Sequence, residues 1–300
     1  MKTFKIENLE MPIRLDKWLK SNCNLNYALI QKLIRKSDIK VNGKKNSRDQ
    51  KLINGDIITI YAKFVEQVPP TTGKIDKKEC SKLLEQIKKS IIFKDDNIIA
   101  INKPYGIASQ SGTGIKISID DILDGLMFDC KIRPRLVHRL DRYTTGLLLL
   151  ARNQRAAGTL TQYFKDGLIE KKYLAVLAGN LKNKTGIIKS EIAKFGSKDL
   201  KEAVTKYKVL ISNPELQISF VEFTPITGRT HQIRIHAAQE LGCSIVSDIK
   251  YGDTTSLVPE LERKIHLHSS EIKIKNFFEK DYSLKVDPPS HIEMAIKKIT

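Results

Sequence analysis

The stretch Arg135-Leu136-Val137-His138-Arg139-Leu140-Asp141-Arg142-Tyr143-Thr144-Thr145-Gly146-Leu147-Leu148-Leu149-Leu150-Ala151 constrains the fold of this chain more than any other. Its second half is an unbroken apolar run closed by Arg152, which predicts a strand buried on both faces or part of a buried helix. Gly146, just before the run, favours entry from a loop into a strand. The first half has the opposite character. Asp141 lies between Arg139 and Arg142 and is followed by Thr144, Thr145 and Gly146, so one acid sits among cations on a loop against a rigid apolar element. A catalytic carboxylate is held in that way, since a nearby cation favours the charged form and the scaffold fixes its position. The rival reading is a surface ion-pair cluster in which Asp141 caps a turn; such clusters contribute little to stability.

A resemblance decides between them. His138-Arg139-Leu140-Asp141, followed by Thr144-Thr145-Gly146, resembles the signature of the RluA/RluC/RluD family of pseudouridine synthases. The family usually has Ser at the position of Thr145, and Thr keeps the hydroxyl.

Residues 12–61 read as a separate small unit. Leu15, Trp18 and Leu19 form one apolar helix face, and Leu29, Ile30, Leu33 and Ile34 repeat the pattern between Asn26 and Lys36, with Lys32, Arg35 and Lys36 elsewhere on that helix. Ile39-Lys40-Val41 then runs into Asn42-Gly43, a tight-turn signal, and Gly55-Asp56 precedes the strand-like Ile57 to Tyr61. Helix, helix, Val-Asn-Gly and Gly-Asp in that order resemble an S4 RNA-binding domain; the alternative is a generic α+β module with a solvated cationic face. Through residue 60 there are thirteen Lys and Arg against six Asp and Glu. The whole chain carries 52 against 34, a formal charge of +18, which favours a polyanionic partner, nucleic acid before membrane surface. Part of the excess reflects a sequence rich in Lys, Ile and Asn throughout, so charge alone does not establish RNA binding.

Residues 62–90 change texture: Pro69-Pro70-Thr71-Thr72-Gly73 breaks regular structure, and the polar stretch that follows has Leu83, Leu84 and Ile87 as its helix anchors. This is expected to be a mobile linker carrying at most a short helix. Residues 91–300 are expected to form a catalytic domain. Strands are predicted at Ile91–Phe93, Ile98–Ile101, Lys171–Leu177, Thr205–Ile211 and Leu216–Phe223, with helices over Ile117–Phe128 and Gln154–Phe164. The pattern implies an α+β fold, a mixed and mainly antiparallel sheet with helices packed on it. The scattered cysteines Cys23, Cys80, Cys130 and Cys243 suit a reducing compartment, no apolar signal core opens the chain, and nothing approaches the roughly eighteen apolar residues of a membrane helix, so a cytoplasmic protein is expected.

Two further motifs extend the resemblance. Lys171-Lys172-Tyr173 introduces a strand tyrosine that, by packing preference alone, is a core residue. In the family the matching Tyr lies against the target base, where its hydroxyl can assist proton removal at C5. Thr227-Gly228-Arg229-Thr230-His231-Gln232-Ile233-Arg234 makes a loop leading into a helix that begins near Thr230, buries Ile233, Ala237 and Leu241, and ends at Gly242. By itself Arg234 reads as an exposed helix cation; the resemblance implies that it pairs with the catalytic Asp. Lys103-Pro104-Tyr105-Gly106 is similar to a family Lys-Pro-x-Gly element; Ser247-Asp248-Ile249-Lys250-Tyr251-Gly252, where the family usually has Gly at position 247, and Leu267-His268 match later ones, while His266 and His268 are expected to be structural.

The resemblance thus implies catalytic roles for Asp141, Tyr173 and Arg234, and substrate binding by Arg139, Arg142, Lys172 and Arg229, with Arg139 filling the space left by a flipped uridine. It implies that uracil is released from C1′, rotates, and rejoins through C5, with no metal and no organic cofactor. Whether Asp141 attacks the base or the sugar, or deprotonates the sugar, is open. An S4-like unit before the catalytic domain resembles the large-subunit rRNA enzymes more than the shorter tRNA-modifying relatives, and His138-Arg139-Leu140-Asp141-Arg142 with the overall spacing looks most like the RluC branch, so the expected partner is RNA, 23S rRNA above all, with no membrane. A tRNA or dual-specificity synthase and a non-catalytic RNA-binding assembly factor are the alternatives; the latter predicts loss of Asp141, Tyr173 or Arg234, and all three are present.

Overall fold

In the computed structural model, which describes every residue except 8, 10, 11, 24, 26, 48, 62–76, 113 and 194–198, the chain divides into two units, Met1–Ile75 and Asp76–Thr300. The first contains β1 (Lys2–Lys5), β2 (Ile13–Arg14), α1 (Leu15–Cys23), α2 (Tyr27–Arg35), β3 (Ile39–Val41), β4 (Lys44–Lys45), β5 (Lys51–Leu52) and β6 (Ile57–Ile60). Leu15, Trp18 and Leu19 of α1 and Ile30 and Leu33 of α2 bury their apolar faces against Ile39, Val41, Ile58 and Ile60 of a sheet ordered β1-β6-β3-β4. Asn42 and Gly43 both take positive φ at the β3–β4 turn, as a tight hairpin requires. The Asn42 side chain ties that turn to the Gly-Asp turn: it donates to Asp56 Oδ1 (2.8 Å) and accepts from the Ile57 N–H (2.8 Å). Lys32, Arg35 and Lys36 are exposed.

The second unit begins earlier than the sequence suggests. Residues 62–76 of the expected linker lie outside the described residues, but Lys77–Lys89 forms α3, and its Leu83 and Ile87 are buried in the same core as Ile99, Ile101, Leu148 and Leu150. After α3 come β7 (Ile91–Lys94), β8 (Ile98–Lys103), a 3-10 helix (Ile119–Leu126) where a helix over 117–128 was expected, β9 (Arg135–Leu136), β10 (Thr145–Ala151) and α4 (Gln154–Asp166). Then follow β11 (Ile169–Ala178), β12 (Thr185–Ala193), β13 (Leu200–Asn213), β14 (Ile218–Pro225), α5 (Gln232–Ile235), α6 (Ile249–Gly252), β15 (Leu267–Phe277), β16 (Lys280–Lys285) and α7 (Ser290–Ile299).

The sheet is ordered β12-β13-β14-β11-β15-β10-β8-β7, with β16 on β15 and β9 on β10. β10 and β15 are parallel, and the other pairs are antiparallel, so the fold is α+β with a mixed, mainly antiparallel sheet. The leucine run is the strand β10, buried along its whole length. Leu147 and Leu149 face α4, and Leu148 and Leu150 face α3 and the 3-10 helix, which is why every residue of the run is apolar. Gly146 is required where β10 meets β15: its φ is +103°, and a Cβ there would collide with the Ser269 backbone.

Candidate active site

Asp141 sits on the loop that enters β10, and its backbone is anchored on both sides. Before it, the buried Ser109 hydroxyl donates to the Leu140 carbonyl (2.9 Å) and accepts from the Leu140 N–H (3.1 Å). After it, the fully buried Lys103 amine donates to the carbonyls of Pro104 (3.1 Å), Ile107 (2.9 Å) and Arg142 (3.2 Å). Burial pulls the Lys103 amine down to about 7, and the charge of Asp141 acts in the opposite direction. Three carbonyls match the three N–H bonds of the ammonium form. Inside the strand, Thr145 Oγ1 lies 2.8 Å from His268 Nδ1, while His268 Nε2 faces the Val286 carbonyl at 3.3 Å. The carbonyl needs a donor, so Nε2 carries the proton and Nδ1 accepts from Thr145. A hydroxyl at position 145 therefore locks the start of β10 to β15. His138, the first residue of the motif, is likewise structural: its Nε2 accepts from the Leu149 N–H (2.9 Å), its ring stacks on Phe164 at 4.4 Å, and burial takes it down to about 3.

The Asp141 carboxylate, a quarter exposed, faces an arginine and a histidine. Arg234 Nη1 is 3.6 Å from Oδ2, and His231 Nε2 is 3.5 Å from Oδ1. Arg234 was expected to pair with Asp141, yet its tight partner is Asp248: Nε and Nη2 each bond a different Asp248 oxygen at 2.7 Å, and both side chains are buried. Bidentate geometry fixes the guanidinium plane, leaving Nη1 to face Asp141. His231 has a left-handed backbone, φ 57°, at the entry to α5. Its Nδ1 is 2.7 Å from the Tyr251 hydroxyl and 3.4 Å from Lys250 Nζ. An ammonium only donates, so Nδ1 accepts and Nε2–H points toward Asp141. Burial holds the His231 ring below its ordinary value, with Asp141 working against that shift. Beyond α5 the helix widens into a π turn over His236–Glu240, and Gly242, at φ +64°, ends it.

Tyr173 lies on β11, where the register against β15 shifts between Lys172 and Tyr173. Such a bulge re-aims a side chain. Burial pushes the phenol up to about 12, with Asp141 adding to the rise and Ser269 opposing it, so the group is a neutral phenol near pH 7. Tyr173, Asp141, Arg139, Arg229, Arg234 and Leu267 line a cavity of about 290 Å³. A second cavity, of about 570 Å³, shares Arg139, Leu140, Asp141, His231 and Arg234 with the first and extends to Tyr105, Tyr143 and Lys250.

Arg139 is exposed and borders both cavities; Arg142 borders the larger, with its Nε donating to the Gly106 carbonyl at 3.0 Å. Arg229 borders the smaller and donates from Nε to the Glu202 carbonyl at 2.9 Å. Lys172, expected to bind substrate, lines neither cavity. Its amine lies 3.3 Å from Glu222 and 3.6 Å from Glu271, and it is Lys171, on the opposite face of the strand, that borders the Tyr173 cavity. Sequence reasoning missed Asp248, His231 and Lys103 as site-builders although all three lie inside motifs it singled out. For Lys103 the signal was a cation two residues beyond the apolar run Ile98–Ile101; for Asp248, an acid with no cation at helical spacing. Among the described residues no group of three or more His, Cys, Asp or Glu is placed to hold a metal.

Residues 97–239 match the model of the RNA pseudouridylate synthase family. The chain is 37% identical over 297 residues to "Ribosomal large subunit pseudouridine synthase C" of Rickettsia bellii, covering 95% of this chain and 97% of that protein. It is 32% identical over 248 residues to the protein of the same name from Vibrio vulnificus, covering 80% and 76% of the two chains. Among solved structures, "Human RNA Pseudouridylate Synthase Domain Containing 4" superposes with a TM-score of 0.64 at 27% identity, covering 74% of this chain and 97% of that one.

Proposed function

This chain belongs to the RNA pseudouridylate synthase family, whose members isomerise uridine in RNA to pseudouridine, and we propose that it acts in the cytoplasm on the RNA of the large ribosomal subunit with Asp141 as its catalytic carboxylate. The observation that carries the reading of the site is the position of Asp141: an anchored carboxylate bordering a cavity walled by a tyrosine ring and three arginines. The choice of RNA rests on the names of the relatives that match nearly the whole chain.

In this reading the target uridine is extruded from its stack, at a cost of a few kcal/mol, and its base enters the 290 Å³ cavity against Tyr173. Arg139, exposed at the rim, takes the vacated place in the RNA. Asp141 meets the ribose, the C1′–N1 bond breaks, the uracil turns, and a C1′–C5 bond forms; the proton on C5 is lost and N1 gains one, so the product is an isomer. Because the Tyr173 phenol is held neutral, its first role is stacking, and it can take the C5 proton only as it hands its own hydroxyl proton to another acceptor. The Arg234–Asp248 pair keeps a cation 3.6 Å from Asp141 without closing on it, which leaves the carboxylate free to engage substrate. The N-terminal unit, with its helix cations exposed, serves as an S4-type RNA-binding module.

The test is a pseudouridine map of total RNA from cells lacking this gene, with and without the gene restored. The reading predicts that sites in the large-subunit rRNA disappear and return while tRNA sites stay. Loss confined to tRNA overturns the choice of substrate, and an unchanged map overturns the activity.

A further inference from the structure

The larger cavity is not needed to hold the uracil, and its chemistry points to a second occupant. Resting on the reading that the target ribose meets Asp141, we infer that the 570 Å³ cavity receives the base of a nucleotide adjacent to the target uridine, so that the enzyme reads two extruded bases, one in each cavity.

Three observations carry this. Asp141, Arg139, His231 and Arg234 border both cavities, so a ribose at Asp141 stands at their junction. RNA continues from that ribose through its 3′ and 5′ oxygens, and the next nucleotide on one side is delivered to the mouth of the larger cavity. The walls of that cavity suit a base. The Tyr105 and Tyr143 rings lie 5.4 Å apart at 37°, Tyr143 is 40% exposed, and Ile115, Ile249 and Ile265 complete an apolar lining. Every base has a π face that stacks on such rings, whatever its identity. The charge is right for a phosphodiester: Arg139, Arg142 and Lys250 line it, and its two carboxylates, Asp141 and Asp248, both face Arg234. Gln110, exposed on the loop after β8, supplies an amide able to donate to and accept from a base edge. Ser109 is not a reader, because its hydroxyl is used in both directions by Leu140.

The experiment uses the full-length enzyme and short RNAs spanning a uridine that the wild type has been shown to modify, each with one flanking nucleotide replaced by an abasic residue. Tyr143→Ala, Tyr143→Phe and Gln110→Ala are compared with wild type for kcat and KM. Both positions are exposed, so the fold is retained, and circular dichroism confirms it. An abasic residue at one flanking position is expected to raise the wild-type KM about tenfold, the scale of one base–aromatic stack removed. Tyr143→Ala should raise KM by a similar factor on intact RNA and add nothing on that abasic RNA, whereas Tyr143→Phe should match wild type on both. Gln110→Ala should lose discrimination among the four bases at the same position only. If Tyr143→Ala loses the same factor on every RNA, or no flanking position responds to base removal, the second subsite is refuted while the isomerase reading stands. If wild type forms no pseudouridine in any RNA, the isomerase reading falls and takes this inference with it.

Discussion

At the scale of single residues, the arrangement around Asp141 depends on Asp248. Asp248→Asn leaves a buried guanidinium with half its bidentate partner and frees it to move toward Asp141. Breaking a buried pair costs about 3–5 kcal/mol. Urea denaturation should show a loss of that size, and turnover should fall with it; a variant as stable as wild type would show that Arg234 does not depend on Asp248. Tyr173→Phe keeps the ring and removes a hydroxyl, so it should spare RNA binding, while Tyr173→Ala should weaken binding by roughly 1–3 kcal/mol. Equal turnover for wild type and Phe would remove the phenol from the chemistry. The buried histidines set a pH dependence. His266 and His268 are pulled by burial to about 4, against about 6.5 in an unfolded chain. Between those values the unfolded state binds more protons, so the contribution of these two residues to stability falls as pH drops from about 6.5 to 4 and flattens below. His268→Gln should shallow that fall, measured as urea midpoints across the range; an unchanged slope would remove His268 from the acid response.

At the scale of elements, legibility followed contiguity. The strand β10, the Asn42–Gly43 turn and the helix α4 each announce themselves within a few residues, because burial on two faces, positive φ and helical spacing leave local patterns. Asp141, Tyr173 and Arg234, which border the cavities, were visible for the same reason, each inside a continuous motif. What escaped were relations across the fold. Arg234 and Asp248 meet only after a turn and a π-widened helix, so no spacing rule pairs them. Lys171 and Lys172 are one residue apart, and which of them reaches the cavity depends on strand phase at an irregular register. The helix α3 reads as linker because ten of its thirteen residues are not strongly apolar, yet Leu83 and Ile87 are buried and Gly125 opens the 3-10 helix to Leu84. A fragment starting at Asp76 should therefore fold, whereas one starting at Ser90 exposes Ile99, Ile101, Leu148 and Leu150 and should aggregate. Equal thermal unfolding of the two fragments would show that α3 is dispensable.

At the scale of the whole molecule, an excess of eighteen positive charges is spread over a chain whose first sixty residues hold thirteen Lys and Arg against six Asp and Glu. If the N-terminal unit grips RNA, the Asp76 fragment should bind a large-subunit rRNA fragment more weakly and with a shallower salt dependence, the slope falling by about 0.7 for each single-strand phosphate that is no longer neutralised. Identical slopes would take that unit off the RNA. The central claim is that this chain isomerises uridine through Asp141, and Asp141→Asn on a mapped rRNA fragment tests it most directly. The substitution keeps the side-chain size and leaves the Ser109 and Lys103 anchors to the neighbouring backbone in place. The account predicts RNA binding close to wild type with pseudouridine formation down by about 10⁴-fold or more; pseudouridine appearing at the wild-type rate would contradict it.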